Sequence, residues 1–182
     1  MGGIDKGLVH LRGRPLFSWA LERLAPQVDE ILISANRNVE EYRRFGYPVV
    51  GDTAKEDDGG YAGPLAGLQA GMQAARYDWL LTVPCDSPFL PADLVQRLYQ
   101  TCSDQGVEIA VAKTGDQVHP VFSLCRCDLL PHLTDFLQSG GRKFDAWYAS
   151  LNAIEVGFDD EAAAFSNINT AEDLRAVNSP TQ

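Results

Sequence analysis

A chain of 182 residues with 45% hydrophobic composition is long enough to bury one core and too short for two ordinary domains. Residues 1–182 are therefore expected to form a single domain. The net charge of −10 at neutral pH excludes broad adhesion to nucleic acid or to an anionic membrane, because both need a basic face. A polyanionic ligand would instead be held by a few placed cations, backbone amides or a divalent metal, which directs attention to a small molecule.

Met1-Gly2-Gly3-Ile4-Asp5-Lys6-Gly7 opens the chain with three glycines, an acid and a lysine. Such a turn lets backbone amides approach phosphate, with Lys6 as a point charge on the same oxygens; a flexible start with a solvated lysine would read similarly. Arg12-Gly13-Arg14-Pro15 is a turn, and Leu16, Phe17, Ala20, Leu21 and Leu24 then recur at helical spacing until Pro26. Glu30–Ser34 reads as a strand, Val39–Phe45 as a short helix and Val49-Val50 as a brief strand that delivers Asp52 beyond its end. Thr53–Gly63 is a polar loop. Pro64 suits the first position of a helix with Leu68 and Met72 inward, and Gly63, Gly67 and Gly71 leave one side bare for close packing or a ligand.

The centre of the sequence is Asp78 through Pro91. Trp79–Val83 is an apolar run bounded by Asp78 and Pro84, the pattern of a central parallel strand with helices on both faces. Pro84 and Pro88 end it, and Pro91 suits the first turn of the next helix. Asp86 then lies beyond a strand's carboxyl end, where open α/β sheets bind ligands, and can meet a metal or phosphate; a turn or cap aspartate is the plainer alternative. Ala92–Cys102 follows as an amphipathic helix with Leu94, Val95, Leu98 and Tyr99 inward. Ile109–Ala112 and Val118–Leu124 flank a longer turn as an antiparallel hairpin. Helices over Leu129–Leu137 and through Trp147 and Tyr148, a strand at Ala153–Val156, a mobile acidic loop at Asp159–Ala164 and a helix at Ala171–Val177 complete the chain, with Asn169 or Thr170 as its N-cap. The class is a doubly wound, mainly parallel α/β sheet. No apolar stretch approaches the ~20 residues of a spanning helix and residues 1–30 lack a secretory pattern, so a cytoplasmic location is expected. Cys85, Cys102, Cys125 and Cys127 lack Cys-x-x-Cys pairing and read as reduced thiols. His119, ahead of Pro120, reads as structural, and the sequence offers no nucleophilic triad.

Together Met1-Gly2-Gly3-Ile4-Asp5-Lys6-Gly7, Gly63-Pro64-Leu65-Ala66-Gly67, Pro84-Cys85-Asp86-Ser87-Pro88 and Asn167-Ile168-Asn169-Thr170 resemble the molybdenum cofactor guanylyltransferases, in order and over nearly the whole chain. The resemblance implies a nucleotide-diphospho-sugar transferase-like fold. It also implies transfer of GMP from GTP to molybdopterin carrying molybdenum, with Mg2+ required. By matched motif, Gly3 and Lys6 would meet the nucleotide phosphates, Asp52 the nucleoside half and Asp86 the magnesium ion. Ser34 holds a nucleotide-contacting position that is asparagine in relatives, with Asn36 as the nearby substitute. Asn167 and Asn169 match a second asparagine motif on the pterin side, where Arg142 is also expected. A molybdenum-insertion protein and target molybdoenzymes are the protein partners the resemblance suggests, with no nucleic acid or membrane. Alternatives are a related enzyme using CTP or a sugar phosphate, or a shortened pterin-binding module without catalysis.

Members of the family open with a strand and a Leu-Ala-Gly-Gly loop followed by an arginine before Met-Gly, and this sequence begins at that Met. The expectation is that the natural gene encodes about 15 to 20 further residues upstream. Their strand would lie centrally, between Ile31–Ile33 and Trp79–Val83, and the 182 residues alone would be poorly stable and unable to seat GTP.

Overall fold

The computed structural model describes residues 5–52 and 63–168, together with the backbone of 171–178 and the side chains of 172–175. Gly3, the Thr53–Gly63 loop short of Gly63, and the Asn169 or Thr170 cap lie outside the described residues.

The elements follow the apolar periodicity of the sequence. A small hairpin, β1 (His10–Leu11) with β2 (Arg14–Pro15), turns through Arg12 and Gly13 at positive φ. Helix α1 (Leu16–Leu24) buries Leu16, Phe17 and Ala20 before a short 3-10 turn over Ala25–Gln27. Strand β3 (Ile33–Ser34) pairs in parallel with β4 (Val49–Val50), and α2 (Val39–Arg43) connects them. The expected Glu30–Ser34 strand is thus only two residues long, because β4 supplies two partners. Ile31 and Leu32 line a cavity instead.

Helix α3 (Pro64–Ala74) starts at Gly63, whose φ of 72° places it in a region only glycine visits cheaply. Beyond it, β5 (Trp79–Thr82), β6 (Ile109–Thr114), β7 (Gln117–Arg126) and β8 (Ala153–Gly157) form one sheet in the order β5-β7-β6-β8. The described pairing is mixed: β7 runs antiparallel to both β5 and β6, whereas β6 and β8 are parallel. Among the described residues β5 pairs with β7 alone, at one end of this sheet. An apolar run reveals burial on two faces, not the direction of the neighbour.

Alternation along these strands sorts the core into two layers. Leu81, Ala110, Ala112, Phe122 and Leu124 pack on one face with α4 (Leu94–Gln105) through Leu94, Leu98 and Cys102. Leu80, Ile109, Val111 and Cys125 pack on the other against α3, α5 (Leu130–Gln138) and α6 (Phe144–Tyr148), with Trp147 fully buried. Helices cover both faces, as the class requires. Each fully buried leucine contributes about 1.5 to 3 kcal/mol, so this double layer is where most of the stability resides. The last helix, α7 (Ala171–Asn178), follows Ile168, which is buried with Leu11 and Leu16.

Several local expectations are revised. The β6–β7 turn is only Gly115-Asp116, since Thr114 pairs with Gln117 and Gly115 takes φ 53°. The irregularity lies within β7, where pairing jumps from Val111↔Ser123 to Ala112↔His119 around Pro120, which has no N–H to give a ladder. Helix α4 begins at Leu94 rather than Ala92, and Pro91 is buried ahead of it, its carbonyl accepting Gln27 Nε2 at 2.9 Å. Tyr99 is 49% exposed, set edge-on to Trp79, rather than inward. Asp159–Phe165 is a 3-10 segment and not a loose loop: Asp160 pairs bidentately with Arg97, and Asp159 accepts the Gly115 amide. All four cysteines are free thiols.

Candidate active site

A slot of about 390 Å³ opens between β3 and β5, floored by α1 and α3. Its wall is mostly apolar, with Ile33, Leu80 and Leu68 among its residues, and polar groups gather where the strands end: Ser34, Asn36, Asp52, Thr82 and Cys85. The apolar length of the slot runs alongside β3 and β5, which lie in separate sheets among the described residues, in the interval where a further strand is expected from the sequence. Only its polar end, at Ser34, Asn36, Asp52 and Cys85, lies at the carboxyl ends of strands, where open α/β sheets bind ligands.

The bare face of α3 lets the helix lie close to the strands on either side of the slot. A Cβ at Gly67 would stand 2.8 Å from Ser34 Oγ, and one at Gly71 would stand 3.1 Å from Leu80 Cδ2. Gly63 faces the carbonyl of Arg142 in the same way, at 3.3 Å. The three glycines at every fourth position thus serve close packing against β3, β5 and the segment before α6, and only Gly67 does so beside the polar end.

Asp52 leaves β4 and meets Asn36, which leaves β3. Asn36 Nδ2 donates to Asp52 Oδ2 at 2.8 Å, and the Asp52 amide donates to Asn36 Oδ1 at 2.8 Å. Both ends of the Asn36 amide are engaged, so Asn36 shapes the loop that presents Asp52. Ser34 adds its hydroxyl to the same corner.

Across the slot, Pro84 and Pro88 hold the segment carrying Asp86. Its side chain is 11% exposed, and Lys6 Nζ stands 3.7 Å from its Oδ2. The lysine comes from a 3-10 turn, Lys6–Leu8, anchored from α2: Tyr42 OH donates to Asp5 Oδ1 at 2.7 Å and Asn38 Nδ2 to Asp5 Oδ2 at 3.0 Å. Burial and the Asp5 carboxylate hold the Tyr42 phenol well above its ordinary pKa, so it remains a donor. A Cβ at Gly7 would stand 2.5 Å from that phenol oxygen, which makes glycine the residue that lets the turn seat. This anchor was not apparent from the sequence; the one available signal is Asn38, which precedes α2 in the left-handed conformation asparagine tolerates.

Cys85 opens onto the slot, but desolvation first and then the Asp86 and Asp5 carboxylates push its thiol up to about 11. It is protonated at neutral pH and is no nucleophile. His119 accepts or donates a hydrogen bond with Thr114 Oγ1 at 2.7 Å and stacks on Phe165 with centroids 4.8 Å apart. Desolvation lowers its pKa, and its hydroxyl partner Thr114 lies on β6, outside the residues that line the slot.

The C-terminal motif closes on the same segment. The Ile168 amide donates to the Asp86 carbonyl at 2.9 Å, and Ser87 Oγ donates to Asn167 Oδ1 at 2.6 Å. Arg142 lies by Gly63, with Nη1 donating to the carbonyls of Leu137 and Gly141. The structure therefore gathers Ser34, Asn36 and Asp52 at the polar end of the slot, and joins Lys6 to Asp86 and Asn167 to Ser87 on the segment that follows Cys85, whose own side chain lines the slot. Gly3 and Asn169 lie outside the described residues.

A sheet covered by helices on both faces, with polar groups collected where its strands end, has the nucleotide-diphospho-sugar transferase-like α/β fold of nucleotidyltransferases. The fold agrees with solved structures: molybdopterin-guanine dinucleotide biosynthesis protein A from Archaeoglobus fulgidus superimposes with a TM-score of 0.77 at 23% identity, over 97% of this chain and 90% of that one. 2-C-methyl-D-erythritol 4-phosphate cytidylyltransferase from Thermus thermophilus gives 0.71 at 17%, over 95% and 92%. The MobA-like NTP transferase domain matches residues 1–153. Curated relatives named molybdenum cofactor guanylyltransferase include one from Cupriavidus pinatubonensis, 47% identical over 180 residues (96% of this chain, 88% of the relative), and one from Shewanella loihica, 46% identical over 172 residues (94% and 86%). The chain belongs to the molybdenum cofactor guanylyltransferase family of MobA-like NTP transferases.

Proposed function

We propose that this protein transfers GMP from GTP to the terminal phosphate of molybdopterin carrying molybdenum. A phosphate oxygen of the pterin attacks the α-phosphorus, the bond to the bridging oxygen of the β-phosphate breaks, and pyrophosphate leaves. The observation that carries this reading is the Lys6–Asp86 pair, 3.7 Å apart, on the segment that also makes the Ser87–Asn167 contact and that follows Cys85 at the slot lined by Ser34, Asn36 and Asp52. Two substrates held by those two groups of residues would need one cation and one carboxylate at the reacting phosphates.

Such a reaction asks the protein mainly for positioning and charge neutralisation. Lys6 offsets charge on the β- and γ-phosphates as pyrophosphate forms. Ser34 and Asp52 bind the nucleoside half, with Asp52 held by Asn36. Asn167 and Arg142 face the pterin.

Among the described residues no three His, Cys, Asp or Glu side chains gather into a metal cage. One carboxylate beside an open cleft suits a cation that takes one or two protein oxygens and completes its shell with substrate phosphates and water, as Mg2+ does. Asp86 would hold it, and the ion would supply neutralisation of the reacting phosphates. No helix among the described residues is long and apolar enough to cross a membrane.

Titration calorimetry tests the nucleotide assignment. GTP should bind tightly only with Mg2+ present, CTP should bind at least tenfold more weakly, and Asp52→Ala should weaken GTP. Equal binding of CTP would favour the cytidylyl alternative, whose fold this chain shares.

A further inference from the structure

Ser87 is fully buried between Asp86 and Pro88, whereas Asn167, the partner of its hydroxyl, lies on the surface. Among the described residues the 2.6 Å contact is the one side-chain hydrogen bond of Ser87. Two arrangements could in principle satisfy it. If Asn167 presented Nδ2 to Ser87, the hydroxyl would accept, and its own proton would be left buried without an acceptor at a cost of about 1 to 3 kcal/mol. If Ser87 donates to Oδ1, nothing buried is left unmade. The second arrangement wins, and it commits the oxygen end of the amide to the protein. What Asn167 turns away from Ser87, toward a ligand, is the N–H pair of Nδ2, beside the one lone pair that Oδ1 keeps.

We propose that Ser87 is a positioning residue that fixes the amide of Asn167 so that Nδ2 faces the acceptor substrate, and hence that the substrate atom it meets is a hydrogen-bond acceptor. The proposal rests on the reading of Asn167 as a pterin-side residue. The neighbouring main-chain bond from the Ile168 amide to the Asp86 carbonyl fixes the two segments against each other, so that rotation of the amide is the freedom Ser87 removes. One segment thereby sets both the carboxylate at the reacting phosphates and the polarity of the asparagine that meets the second substrate. Ser87 and Asn167 are 80 positions apart, and neither position alone reveals the coupling.

The test is steady-state kinetics of the full chain with saturating GTP and varied molybdopterin. Ser87→Ala should raise the pterin KM about five- to tenfold, the loss of one ordered hydrogen bond, with kcat and the GTP KM within about twofold. Ser87→Thr should restore the KM. Asn167→Ala should raise it at least as far, and Asn167→Asp should match Asn167→Ala, because the aspartate still accepts from Ser87 but offers no N–H. Adding Ser87→Ala to Asn167→Ala should change nothing more. If Ser87→Ala lowers the melting temperature sharply, Ser87→Cys, which keeps the volume with a weak donor, takes its place. A raised KM in Asn167→Ala with an unchanged KM in Ser87→Ala, or additive effects in the double variant, would overturn the positioning role while the pterin-side reading stands. An unchanged KM in Asn167→Ala would remove both.

Discussion

Asp86→Asn separates chemistry from stability. Asparagine keeps the shape of the side chain, and the Asp86 carbonyl still accepts the Ile168 amide. The interaction lost is that with Lys6 at 3.7 Å. Coulomb's law at an effective dielectric of about 20 gives roughly 4.5 kcal/mol for that separation. Lys6 is 43% exposed, however, and pairs so open to solvent contribute about 0 to 1 kcal/mol. The smaller figure governs folding, and corresponds to a fall of at most about 2 to 4 °C in melting temperature for a chain of this size. The transition state is different, since Asp86 would hold the divalent cation that neutralises the reacting phosphates, and an asparagine in its place would lose that cation where water is excluded. Loss of about 4 kcal/mol of stabilisation lowers turnover about a thousandfold. Circular dichroism melts beside turnover with GTP and molybdopterin give both quantities. A variant that keeps more than a tenth of wild-type turnover would refute the role of Asp86. One that loses activity only because it melts about 10 °C lower would show that the carboxylate serves the fold.

Gly67→Ala should weaken GTP binding by about tenfold, because its Cβ would stand 2.8 Å from Ser34 Oγ, while the melting temperature holds or rises through the ~1 kcal/mol by which alanine exceeds glycine in helices; calorimetry and thermal melts read the two opposite signs. Asn36→Ala removes both bonds to Asp52 and should raise the GTP KM several-fold with stability changed by less than about 1 kcal/mol, as Asn36 is exposed and Asp52 only half-buried; unchanged GTP kinetics would remove Asn36 and its loop from the site. His119 is desolvated and its folded pKa lies below the ordinary value, so the unfolded chain binds the proton more readily and stability falls as pH drops through about 6.5 toward the folded pKa. His119→Gln should flatten that part of the stability–pH curve measured by denaturant unfolding, and an unaltered slope would contradict the assignment.

The strand at Trp79 and the placement of Asp86 could be read from the sequence, because an apolar run and two prolines act locally. Helices on both faces followed from the same patterns. Pairing direction did not, since β5 and β7 are joined through contacts about 40 residues distant, such as Leu81 with Leu124, and periodicity carries no sign for the neighbour. Tyr99 looked inward by spacing but sits where α4 passes the edge strand. Asp159–Ala164 looked mobile because its acidity is local, whereas its ordering comes from Arg97, more than 60 residues earlier. The site divides in the same way. Lys6, Asp52 and Asp86 sit within phrases whose glycines and prolines already mark turns, but the Tyr42–Asp5 anchor and the Ser87–Asn167 contact exist only once the chain has folded.

The central claim is guanylyl transfer, and product mass tests it most directly. The full-length gene product is incubated with Mg2+, molybdenum-loaded molybdopterin and each nucleoside triphosphate in turn. The account predicts that GTP alone gives a product heavier than the pterin by one GMP residue, with one pyrophosphate released per product. A cytidylyl product, or tight binding of GTP and pterin with no transfer to any nucleotide, would contradict it.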